Sequence, residues 1–161
     1  MARSMIYLSL VAFSLSSLAA LRPSAANPEL VGSWRLVERA VADSGGTWSH
    51  SPAGIFMFST RHYSLMYVTS PEPRRPFPGD FAAWSPAEHE ELEAFRMLVA
   101  NAGSYELAGS KVRLRPLVAK VPNVMARDVT IEMGFQLEDD ELHMSWQLGE
   151  TSEQLVLERM D

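Results

Sequence analysis

Three residues have the types and placement that proton transfer needs: Glu38, Tyr63 and Tyr67. Each falls on the inward phase of a run with strand-like alternation. A carboxylate turned toward an apolar interior has its pKa raised, which suits general acid–base work beside a phenol near neutral pH. That chemistry would serve an isomerase or cyclase acting on an apolar substrate. The competing place for Glu38 is a wetter one, against water or an arginine.

Other catalytic chemistry finds less support. His50, His62, His89 and His143 have no metal-ligand spacing. No nucleophile elbow, phosphate loop or dinucleotide fingerprint is present, so no motif requires a cofactor and no metal site is predicted. The chain has no cysteine, which removes disulfides, thiol nucleophiles and a lipid-modified cysteine anchor.

The ends and the charge bound the rest. Arg3, the apolar run Met5 to Leu21 and the small residues Ser24-Ala25-Ala26 read as a signal peptide over residues 1–26, cleaved before Asn27. Export to the periplasm or the outside follows, with residues 27–161 as one domain and no integral membrane segment after cleavage. The leader carries Arg3 and Arg22 and no acid, so its loss takes the formal charge from −6 to −8. An acidic body disfavours nucleic acid and anionic membranes as partners. A monomer is expected.

The elements that must position these residues are mostly strands. In Trp34-Arg35-Leu36-Val37-Glu38-Arg39-Ala40, Trp34, Leu36, Glu38 and Ala40 share the predicted inward face. Ser44-Gly45-Gly46-Thr47 is a turn. Gly54–Ser59 and Tyr63–Val68 form a hairpin pairing Phe58 with Tyr63 and Phe56 with Leu65. Its other face carries Ile55, Met57, Ser64 and Met66, and is expected to be covered. Thr69–Phe81 holds Pro71, Pro73, Pro76 and Pro78 with Arg74, Arg75 and Phe77. Four prolines make a stiff surface loop, a candidate rim for an acidic headgroup. Ser85-Pro86-Ala87-Glu88 opens a helix with the apolar stripe Leu92, Phe95, Leu98 and Val99, and Asn101 or Gly103 ends it. This helix covers the hairpin or closes one end of the sheet.

Five more strands follow. Ser104–Ala108 leads into Val112–Ala119. In Asp128–Glu138, Val129, Ile131, Met133, Phe135 and Leu137 all fall on one face, the pattern of a half-buried antiparallel strand. Leu142, Met144, Trp146 and Leu148 repeat it, and Leu155, Leu157 and Arg159 share the inward phase of the last strand. About eight short strands with one inserted helix suit a closed antiparallel barrel able to hold one small ligand.

Gly32-Ser33-Trp34 resembles the glycine-x-tryptophan opening of the lipocalin and fatty-acid-binding barrels. The run Phe95 to Tyr105, with Ala102-Gly103-Ser104-Tyr105-Glu106 and then Pro122-Asn123, is similar to the small bacterial and fungal lipocalin-like domain family, over nearly all of residues 30–160. The resemblance implies a mainly β fold: an eight-stranded antiparallel lipocalin-like β-barrel with one α-helix after the third strand. It also implies that Arg159 lies across Trp34, so that Gly32, Trp34 and Arg159 form a structural floor with a cation–π contact of roughly 0.5 to 2 kcal/mol. The second lipocalin motif and the disulfides are missing, which leaves the retinoid and haem ligands of those proteins unsupported.

The inward residues Phe56, Phe58, Tyr63, Leu65, Tyr67, Met133, Phe135, Met144 and Trp146 would give an aromatic and thioether lining suited to a small hydrophobic or aromatic ligand. If they simply fill the barrel, the protein is instead an interaction module working through its helix and Pro-rich loop. Binding is favoured over catalysis.

Overall fold

Apolar–polar alternation carries through into nine strands among the described residues: β1 (Gly32–Val41), β2 (Gly46–Trp48), β3 (Gly54–Phe58), β4 (His62–Val68), β5 (Leu98–Ala108), β6 (Lys111–Ala119), β7 (Ile131–Glu138), β8 (Glu141–Leu148) and β9 (Thr151–Arg159). Among the described residues a single α-helix, α1 (Glu88–Arg96), precedes β5. The computed structural model describes residues 28–42, 46–48, 53–70, 72, 74, 76–77, 87–148 and 151–160. The leader expected over residues 1–26, the cap at Ser85-Pro86 and Arg75 lie outside them.

All neighbouring strands are antiparallel, and β9 returns to β1, closing a barrel of eight strands. The three-residue β2 adds to the far end of β1, where Arg39–Val41 pair with Gly46–Trp48. Closure through β1 and β9 leaves short edges only, at β2 and where β6 runs beyond its pairing with β7. The helix follows three barrel strands, β1, β3 and β4. The hairpin register places Phe58 opposite Tyr63 and Phe56 opposite Leu65.

The core lies in the half of the barrel nearest the β3–β4, β5–β6 and β7–β8 turns. Trp34, Phe56, Val112, Leu114, Met133, Leu142 and Leu157 are fully buried there. Burying side chains of this size contributes roughly 1.5 to 3 kcal/mol each. Phe58 meets Tyr105 edge-on at 5.4 Å, and the Tyr105 hydroxyl donates to the Ser59 carbonyl at 2.7 Å.

Three sequence expectations need correction. The helix is shorter than expected: its last turn gives way at Met97, and Leu98, Val99, Asn101 and Gly103 belong to β5. β-Branched and small residues there pair with β4 instead of extending a stripe. Glu90 caps the helix from within, accepting the Ala87 N–H at 2.9 Å. Leu92 and Phe95 are about half exposed, and among the described residues nothing covers Ile55, Met57 and Met66 on the outside of the hairpin.

The third correction concerns β1. Leu36 faces Leu157 and Glu38 faces Val156, so β1 carries one extra residue, Val37, against β9. Such a bulge reverses the inward–outward phase of everything beyond it. Arg39, opposite buried Leu155, therefore takes the inward place that alternation assigned to Glu38.

Candidate functional site

The barrel is filled at one end and hollow at the other. β6 pairs with β7 through Lys111–Leu114 against Ile131–Gly134. Beyond them comes Pro116, which has no N–H to extend that ladder. The rest of β6 stays with β5 while the chain departs through a 3-10 turn, Pro122–Met125. The gap opens a cavity of about 570 Å³. Val99, Leu114, Val124, Val129, Ile131 and Trp146 form its apolar walls, and Tyr67, Asn101 and Glu153 its polar end.

That polar end is held by a buried ion pair. Arg39 Nε donates to Glu153 Oε1 at 2.5 Å, and both side chains are about nine-tenths buried. The Tyr67 hydroxyl donates to the same oxygen at 3.2 Å, and Arg39 Nη1 donates to the Thr69 carbonyl at 3.2 Å. Two charges can be held in a dry place only when paired and hydrogen-bonded in this way. Burial, reinforced by the Glu153 carboxylate, pushes the Tyr67 phenol well above its ordinary pKa. Burial does the same to Tyr63, whose hydroxyl donates to Asn101 Oδ1 at 2.7 Å. Both phenols stay protonated at neutral pH.

The residues singled out from the sequence divide between these regions. Leu65, Tyr67 and Trp146 line the cavity. Phe56, Phe58, Tyr63, Met133 and Met144 are buried in the core cluster, with Phe135 packed against it. Tyr67 links the two regions, stacking on Phe56 at 5.8 Å and tilting against Trp146 at 6.2 Å. Glu38 is not with the tyrosines. It lies on the outer face opposite Val156, in a shallow groove with Ser110, Gln136 and His143. The proton-transfer set Glu38, Tyr63 and Tyr67 is therefore not assembled, because the Val37 bulge turns Glu38 outward.

The Pro-rich loop also sits elsewhere. Arg74 and Phe77 line a cleft of about 710 Å³ against His89, Glu93 and Met97 at α1, and neither lines the barrel cavity. Glu153 and Arg39 went unnoticed in the sequence. The inward phase of Leu155, Leu157 and Arg159, carried back two residues, points to Glu153. Arg39 is hidden by the bulge.

The floor is closed by side chains. The Arg159 guanidinium lies 4.1 Å from the centre of the Trp34 ring, and the Trp34 indole N–H donates to the Leu30 carbonyl at 3.0 Å. Arg159 also donates to the carbonyls of Val31 and Glu29, drawing the residues before β1 across the barrel end.

These features together make a closed antiparallel barrel with a plugged floor and an open, mostly apolar cavity. The chain belongs to the lipocalin-like domain family, whose model matches residues 31–158. No curated protein and no solved structure matches it. Among the described residues no helix is long and apolar enough to cross a membrane, and no group of His, Cys, Asp and Glu is arranged to hold a metal ion.

Proposed function

We propose that this protein binds a small, largely apolar molecule in the cavity between β6 and β7. The observation that carries the reading is the cavity itself: about 570 Å³, with Val99, Leu114, Val124, Val129, Ile131 and Trp146 as apolar walls and polar groups among them. That size and lining are those of small-molecule sites in general. The family supports ligand binding as a class of function. Arg3, the apolar run Met5–Leu21 and Ser24-Ala25-Ala26 support export with cleavage near Ala26.

The test is native mass spectrometry on the protein purified gently from its own host. A reproducible extra mass that leaves on denaturation is the expected result, and its extraction identifies the ligand. A clean apo mass, together with failure to take up an uncharged apolar fluorescent probe, would overturn the reading.

A further inference from the structure

The cavity has a chemical polarity that narrows what it can hold. Glu153 is 8% exposed, and it lines the cavity. Its Oε1 receives both Arg39 Nε and the Tyr67 hydroxyl. Its Oε2 takes no hydrogen bond among the described residues and is not sealed away from solvent. Arg39 does not line that cavity. Its Nε is held by Glu153 and its Nη1 by the Thr69 carbonyl. A molecule inside the barrel thus meets an acceptor oxygen and not the cation that balances it.

The other charged residues on the cavity wall do not reverse this. Lys120 donates its amine to the Phe95 carbonyl at 2.8 Å and lies over the Phe95 ring at 4.7 Å, toward α1. Glu132 is held by Lys111 and Arg113. The Asn101 side-chain oxygen receives the Tyr63 hydroxyl.

We propose that the bound molecule carries a hydrogen-bond-donating head, an alcohol or an ammonium, that Glu153 Oε2 receives it, and that the site rejects carboxylates. The inference rests on the cavity-binding reading above. A donor head completes the half-used carboxylate with a charge-assisted hydrogen bond. A carboxylate head would set two acceptors of like charge against each other at a largely buried side chain, with no proton between them to share.

Calorimetric titration at neutral pH with decanol, decylamine and decanoate tests it, because the three share one apolar chain. The expected result is that decanol and decylammonium each bind at least about tenfold tighter than decanoate. In Glu153→Gln the advantage of decylammonium over decanoate should shrink by about tenfold or more. Because that change strands the Arg39 charge, Arg39→Met/Glu153→Gln, which removes both charges, is titrated alongside and should show the same loss. Decanoate binding as tightly as the other two, or a preference that survives in both variants, overturns this proposal and leaves the cavity reading standing. No binding by any of the three overturns both.

Discussion

Arg39 Nε and Glu153 Oε1 meet at 2.5 Å inside the barrel although 114 residues separate them in sequence. The pair sits where β1 and β9 run side by side beyond the Val37 bulge. It joins the first and last barrel strands and shapes the polar end of the cavity.

Removing one partner of such a pair leaves the other buried and uncompensated. Arg39→Met is expected to cost about 3 kcal/mol in urea unfolding. The double change Arg39→Met/Glu153→Leu should recover most of that loss, because neither charge then remains. A single variant as stable as the double would show that the pair is well solvated.

The floor gives a second expectation. Arg159→Ala removes the cation over Trp34 and two donors to backbone carbonyls, and should cost about 1 to 3 kcal/mol. Arg159→Lys keeps the charge but lacks the planar fork, so it should restore only part of the loss in thermal unfolding. Full restoration by lysine would mean that charge alone closes the floor.

Gly103 lies at an irregularity in the pairing of β5 with β6. A Cβ there would stand 2.0 Å from the Arg115 carbonyl oxygen, and that backbone has little room to retreat. Gly103→Ala should therefore destabilise the barrel by about 3 kcal/mol or prevent folding, measured by denaturant titration.

Ala119 borders the cavity on the side where β6 has left β7. Ala119→Trp should fill part of the space, lowering affinity for an apolar probe by at least about tenfold while changing stability by about 1 kcal/mol or less. Unchanged probe binding would place the ligand elsewhere.

Alkaline pH should unfold the barrel through its tyrosines. Tyr63, Tyr67 and Tyr105 all hold their protons more tightly than a free phenol, chiefly because burial disfavours the phenolate. The unfolded chain ionises near pH 10. The stability they contribute is whole below that pH and is lost as pH rises beyond it. Tyrosinate absorbance and loss of circular dichroism should coincide, and Tyr63→Phe/Tyr67→Phe should move the onset to higher pH. Ionisation of all three near pH 10 in an intact barrel would contradict the assignment.

Strand period carried much of this fold in the sequence. The Phe56–Leu65 and Phe58–Tyr63 pairs and the inward set Met133 and Phe135 are legible because the side-chain period is two and the partners lie on regular strands. Legibility ends where one residue is inserted. Val37 carries no mark that sets it apart from an ordinary strand valine, yet it exchanges Glu38 for Arg39 at the interior. The cavity is hidden for another reason: Pro116 was visible, but where β6 parts from β7 depends on the register of two strands at once. Leu98 and Val99 continue a helical stripe as easily as they begin a strand, and pairing with β4 decides between them.

The pairing of β1 with β9 also sets an order in time. Trp34 lies opposite Arg159, so nearly the whole chain must be made before the first strand finds its final neighbour. Contacts so distant in sequence form slowly, since a long loop must close before they stabilise anything. Until then β1 and β8 are open edges beside exposed aromatic residues, the state most prone to pair with other chains. A chain stopped short of β9 would be a lasting form of that intermediate and should aggregate.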